Sequence, residues 1–213
     1  QHRGQDAAGM VVCEPSGKLN SRKSKGYVRD VFQQNHMNNL QGNLGIGHVR
    51  YPTAGGIGKE FAQPMYVNTP YGISLAHNGN LTNSKKLAAE LFHAERRHIN
   101  TDSDSEVLLN IFALELSKQE AVFPKPKDFF SAVEKTHLRI NGAYAVVALI
   151  TGYGILAFRD PLGIRPLSIG IRKGKNRNEY VVSSETALFS STGFKFLRDV
   201  EPGEAVFIDN AGK

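Results

Sequence analysis

Three short polar clusters hold most of the side chains in this 213-residue sequence that could do chemistry. They are His48-Val49-Arg50-Tyr51-Pro52-Thr53, Ala76-His77-Asn78-Gly79-Asn80 and Thr101-Asp102-Ser103-Asp104-Ser105-Glu106. Several familiar chemistries fail on spacing. None of the seven histidines, His2, His36, His48, His77, His93, His98 and His137, falls in an H-x-x-x-H pair, and Cys13 is the single cysteine, so no metal-ligand pattern exists. There is no Walker loop and no G-x-S-x-G nucleophile elbow, and Gly45-Ile46-Gly47 runs into a strand rather than a dinucleotide loop. Read residue by residue, the remaining clusters keep ordinary alternatives open. Arg50 could be a surface ion-pair partner, Asn78-Gly79 a hairpin turn, and Asp104 an acid favourable to the start of a helix dipole.

The elements around these clusters follow from hydrophobic period. Ala8–Cys13, Gly45–Tyr51 and Gly72–His77 read as strands. Asn83–Glu95 and Ser103–Lys118 read as helices, the second with Val107, Leu108, Ile111, Phe112 and Leu116 along one face and Ser103–Glu106 as a capping box. Lys127–Leu138 predicts a third helix. From residue 142 strands follow closely: Ala143–Ile150, Tyr153–Phe158 across a Thr151-Gly152 turn, Leu167–Ile171, Tyr180–Ser183 and Ala205–Ile208. Strands on both sides of a helical block predict α+β, and the continuous apolar run 143–150 predicts a strand covered on both faces, hence a layered sandwich.

Composition bounds the rest. Apolar residues make up 40% of the chain, enough for one sizeable core, and a lone cysteine fits a reducing, cytoplasmic location. No apolar run reaches membrane-spanning length. The net charge of +6 collects in Arg22–Lys25 and Arg172–Arg177, which read as strand-connecting loops without interleaved aromatics, so neither nucleic acid nor membrane is an expected partner.

Longer motifs carry a resemblance. Gln1-His2-Arg3-Gly4-Gln5-Asp6-Ala7-Ala8-Gly9, Gly47-His48-Val49-Arg50-Tyr51-Pro52-Thr53-Ala54-Gly55, Ala76-His77-Asn78-Gly79-Asn80-Leu81-Thr82-Asn83 and Thr101–Glu106 appear in order. Phe158-Arg159-Asp160-Pro161-Leu162-Gly163-Ile164-Arg165-Pro166-Leu167, Ser183-Ser184-Glu185 and Phe196–Glu204 follow. Together they resemble the glutaminase domain of the amidophosphoribosyltransferase family over residues 1–213. Related hexosephosphate aminotransferases carry Trp after the strand-end Arg, where this sequence has Tyr51.

The resemblance implies an Ntn-hydrolase fold of four layers, αββα, with two antiparallel sheets between helices. It implies that Arg50 grips the α-carboxylate of glutamine with Thr53 adding a hydroxyl, that Asp104 holds the α-ammonium, and that Asn78 and Gly79 form the oxyanion hole. It further implies ammonia transfer to a phosphoribosyltransferase half that uses phosphoribosylpyrophosphate, homo-oligomers through that half, Mg there and no cofactor in this domain. The family's nucleophile is an N-terminal cysteine, which the sequence beginning at Gln1 does not match. The expectation is therefore that this chain lacks glutaminase activity and that one extended to a free N-terminal cysteine gains it. A glutamine-binding or scaffold fragment is the alternative.

Overall fold

The computed structural model describes residues 3–51, 58–119, 121–175 and 177–212; Thr53 lies outside them. The architecture is built on a five-stranded antiparallel sheet ordered β11-β7-β6-β5-β4. Its strands are β4 (Met65–Val67), β5 (Ile73–Leu81), β6 (Gly142–Ile150), β7 (Gly154–Arg159) and β11 (Ala205–Asp209). The alternation of side chains along β6 explains why its whole sequence is apolar. Tyr144, Val146, Ala148 and Ile150 face one core and Ala145, Val147 and Leu149 the other.

The first core is filled by three helices, α3 (Ser84–His93), α4 (Asp104–Ser117) and α5 (Pro126–Arg139). α4 departs from the one-faced reading. Val107, Leu108, Leu109, Ile111, Phe112, Ala113, Leu114 and Leu116 are all buried, because α3, α5 and the sheet enclose the helix together. A helix apolar all round belongs inside a core.

Two three-stranded antiparallel sheets cover the opposite face. One is β2-β1-β3, from β1 (Ala7–Cys13), β2 (Leu19–Lys25) and β3 (Leu44–Arg50). The other is β10-β8-β9, from β8 (Ser168–Lys173), β9 (Asn178–Ser183) and β10 (Lys195–Asp199). Short helices complete the layers: α1 (Val28–Val31) contacts β1 and β2, α2 (Gln34–Asn38) follows it, and α6 (Ala187–Ser191) contacts β10. The α+β four-layer order is as expected, but the second sheet layer is two sheets rather than one. Among the described residues, β3 and β9 pair on one side only.

The basic runs need correction. Arg22–Lys25 is not a loop but half of β2, and Arg172 and Lys173 end β8. β2 is an edge strand, where charged side chains discourage pairing with another chain. Truncating the buried Leu108 to Ala should remove about 3 kcal/mol of stability. Urea unfolding of the two proteins measures this; a change under about 1 kcal/mol would show a core able to collapse around the gap.

Candidate active site

β3, β5 and the N-terminus of α4 converge on a cavity of about 370 Å³. Arg50, Asn78, Gly79 and Asp104 all line it, so four residues separated by up to 54 positions in sequence meet in one place.

Arg50 ends β3 and is buried, not a surface cation. Its Nη1 donates to Asp6 Oδ2 at 2.6 Å, and its guanidinium lies 5.3 Å from the Phe61 ring centroid. Asp6 stands there because the β1–β3 register pairs Ala7 with Arg50 and the Asp6 N–H donates to the Arg50 carbonyl. Asp6 was not expected from sequence, although it lies within the first motif. A buried pair of this kind fixes the direction of the guanidinium fork.

Asn78 and Gly79 lie inside β5 and do not form a turn; they pair with Ala145 and Tyr144 of β6. Gly79 has φ of +148°, and a Cβ there would come within 2.0 Å of the Ala143 carbonyl oxygen. Only glycine lets β5 approach β6 so closely at this point. Successive side chains leave β5 in opposite directions. His77 turns to the helices, where its Nδ1 is 3.0 Å from Ser105 Oγ, and Asn78 turns to β3, where its Oδ1 is 2.9 Å from His48 Nε2.

Asp104 opens α4, yet the capping box is not formed by Ser103, which makes no side-chain cap. Glu106 instead accepts from the Asn100 and Thr101 N–H groups and the Thr101 hydroxyl. Asp104 Oδ2 accepts from the Leu81 N–H at 2.9 Å, and its Oδ1 lies 4.0 Å from His77 Nδ1. The α4 terminus is thus tied to the end of β5. Gln63 adds a second tie, donating to Ser105 Oγ and accepting the His77 N–H.

Arg165 reaches the same cavity from the 160–167 segment. Its motif is legible physically. Burial alone would raise the Asp160 carboxyl, but N–H groups of Arg165, Ile164, Tyr144 and Leu162 hold it below its ordinary value. Arg159 clasps the carbonyls of Gly163, Arg165 and Val200. One anion and one cation therefore fix the loop from two sides.

The described residues contain no group of three or more His, Cys, Asp or Glu that could hold a metal ion. No helix among them is long and apolar enough to cross a membrane. Cys13 is buried in β1, where burial raises its thiol, and packs with Val11, Ile46 and Leu149 away from the cavity.

The fold is an αββα sandwich, and its polar cavity is lined by Arg50, Arg165, Asp104 and the Asn78–Gly79 stretch of β5. The glutamine amidotransferase domain model matches residues 57–191, and the chain belongs to that family. It is 56% identical over its whole length to an amidophosphoribosyltransferase of Pseudomonas aeruginosa and 55% identical to that of Escherichia coli. It spans 42% of the length of each. Among solved structures it resembles the glutamine phosphoribosylpyrophosphate amidotransferase of B. subtilis complexed with ADP and GMP. The TM-score is 0.81 at 35% identity, covering 100% of this chain and 43% of that one.

Two stability predictions follow from the site. Asp6→Ala, which removes the carboxylate from its buried pair with Arg50, should cost about 3 kcal/mol in chemical denaturation, whereas no loss would mean that the pair is dispensable to the fold. The second concerns His48, whose pKa burial lowers from 6.5 to about 4. Burial also lowers the pKa values of His77 and His137. The unfolded chain thus binds protons that the folded chain refuses between pH 6.5 and 4, so stability falls as pH drops through that window. His48 contributes on the order of 2 kcal/mol of that fall, after allowance for its partial exposure. His48→Gln should flatten the pH dependence by that amount; an unchanged slope would contradict the assignment.

Proposed function

We propose that this cavity hydrolyses the side-chain amide of glutamine, as the ammonia-supplying part of an amidophosphoribosyltransferase. The observation that carries the reading is the convergence of Arg50, Asp104, Asn78 and Gly79 on one 370 Å³ cavity. Glutamine has a carboxylate, an ammonium and a carboxamide, and these residues offer a complement to each. Arg50, oriented by Asp6, takes the α-carboxylate, with Thr53 adding a hydroxyl. Asp104 takes the α-ammonium on Oδ1, since its Oδ2 already accepts from Leu81. The Asn78 amide and the Gly79 N–H receive the oxygen that becomes negative as the carboxamide carbon turns tetrahedral. Donors already in place at such an oxygen each lower the barrier by about 3–4 kcal/mol.

The nucleophile in this reading is the thiolate of an N-terminal cysteine carried ahead of Gln1, with its own α-amine as base. Cys13 is unsuited to the task, being buried with a raised pKa. A groove of about 460 Å³ runs between the facing edges of β3 and β9 over Val147, Ile155 and Ile208. A smaller cavity sharing Gly47, Val147 and Val182 with it extends to His77 and Asn78. An extended segment pairing with both edges would turn the two small sheets into one and bring its end to the oxyanion hole. The thiolate attacks the amide carbon, ammonia leaves with a proton, and water then cleaves the thioester to glutamate.

Ammonia would pass to the rest of the protein, where phosphoribosylpyrophosphate becomes 5-phosphoribosylamine and pyrophosphate. That step opens purine synthesis, is assigned Mg, and belongs to a cytoplasmic homo-oligomer in this reading. The support is similarity along the whole of this chain to the N-terminal parts of amidophosphoribosyltransferases and to the solved structure of an allosteric regulatory enzyme of purine biosynthesis, 37% identical with a TM-score of 0.82.

Glutamate release by three purified chains tests the reading. The Gln1-initiated chain should show none, a Cys-initiated chain should turn over, and Cys-initiated Asn78→Ala should lose about 10²–10³ in kcat with little change in KM. Turnover by the Gln1 chain would overturn the N-terminal nucleophile, and an unimpaired Asn78→Ala chain the oxyanion role. In the Cys-initiated chain, Arg50→Lys and Asp104→Asn should each raise KM for glutamine roughly tenfold or more through a lost charged hydrogen bond. Unchanged KM values would overturn their recognition roles.

A further inference from the structure

An oxyanion hole needs a donor, and a carboxamide presents a donor on one side and an acceptor on the other. Turned by a half-rotation, Asn78 would aim Oδ1 at the developing negative charge and oppose it. The site must therefore contain something that fixes which side faces the cavity. Backbone pairing of β5 with β6 places Asn78 but does not decide which side of its amide faces the cavity.

His48 meets that need. It lies on β3, in a different sheet from Asn78, and its Nε2 is 2.9 Å from Asn78 Oδ1. An amide oxygen only accepts, so the contact is a hydrogen bond only if Nε2 carries a hydrogen. The other ring nitrogen, Nδ1, is buried without a hydrogen-bond partner. A hydrogen there would be an unpaired buried donor, and hydrogens on both nitrogens would add an enclosed charge near Arg50 on its own strand and His77 on β5. Burial disfavours the charged ring and outweighs the Asn78 side chain and the His77 backbone, which favour a proton on it.

We propose that His48 is a positioning residue for the oxyanion hole: its neutral imidazole, with hydrogen on Nε2, holds Asn78 by Oδ1 so that the Nδ2 donors face the cavity. The proposal rests on the reading of Asn78 as an oxyanion donor. His48 itself touches neither the reacting carbon nor the nucleophile in this scheme. Its effect passes entirely through one amide.

Two measurements test it. The first uses the 213-residue chain as it stands and needs no activity. The ¹⁵N shifts of the His48 ring at neutral pH should show Nε2 protonated and Nδ1 bare; the opposite tautomer, or an imidazolium, overturns the proposal. The second is a double-mutant cycle in the Cys-initiated chain. His48→Ala should lower kcat about 10–100-fold with KM within about twofold, and in an Asn78→Ala background it should change kcat less than about twofold. His48→Gln, whose amide N–H can reach the same oxygen, should restore most of kcat, and it carries the cycle if the Ala variant does not fold. Equal losses in both backgrounds overturn the proposal alone. Full turnover by Asn78→Ala overturns the oxyanion reading of Asn78 and the proposal with it.

Discussion

The close approach of β5 to β6 at Gly79 is the constraint on which the site depends. With a Cβ only 2.0 Å from the Ala143 carbonyl oxygen, no other residue fits without parting the two central strands. That approach fixes the backbone N–H of Gly79 and, through strand alternation, sends His77 and Asn78 to opposite layers. β5 thereby carries polar links to both neighbouring layers, to α4 through Ser105 and to β3 through His48. A swelling of the β5–β6 contact would shift every one of these groups together.

Around this strand the charges are kept apart by separate anchors. Arg50 is held by Asp6 and backed by Phe61, while Asp104 is held by the Leu81 N–H at the end of β5. Each keeps its own partner, so a zwitterionic substrate can lie between them without first breaking an Arg50–Asp104 pair. Arg165 enters on a loop that Asp160 and Arg159 fix from two sides. The cavity is thus assembled from rigid pieces of several layers, which suits chemistry that relies on donors already in place.

Much of this was legible in the sequence, and the rest was hidden for identifiable reasons. The strands around Val11, Ile46 and Val146 and the helices around Leu91, Phe112 and Phe129 follow from period alone, and long motifs single out Arg50, Asn78, Gly79 and Asp104. β2 was hidden because Arg22, Lys23 and Lys25 suit an edge strand and a loop equally well. Asn78-Gly79 resembles a turn dipeptide until the apolar stretch of β6 is seen to pair alongside it. The full enclosure of α4 depends on α3 and α5, and amphipathic spacing within α4 does not report it. Asp6, His48, Gln63 and Ser105 were missed as site residues because their partners lie 44, 30, 14 and 28 residues away, and no local pattern encodes such contacts.

The proposed function requires this cavity to recognise glutamine as a whole molecule, with its amide at Gly79. The most direct measurement is the amide ¹⁵N–¹H signal of Gly79 during titration of the chain with L-glutamine and, separately, with D-glutamine. A saturable shift of the Gly79 signal is expected with the L isomer and a much weaker response with the D isomer, which cannot present carboxylate, ammonium and amide to Arg50, Asp104 and Gly79 at once. A Gly79 signal indifferent to L-glutamine, or equally responsive to both isomers, would contradict it.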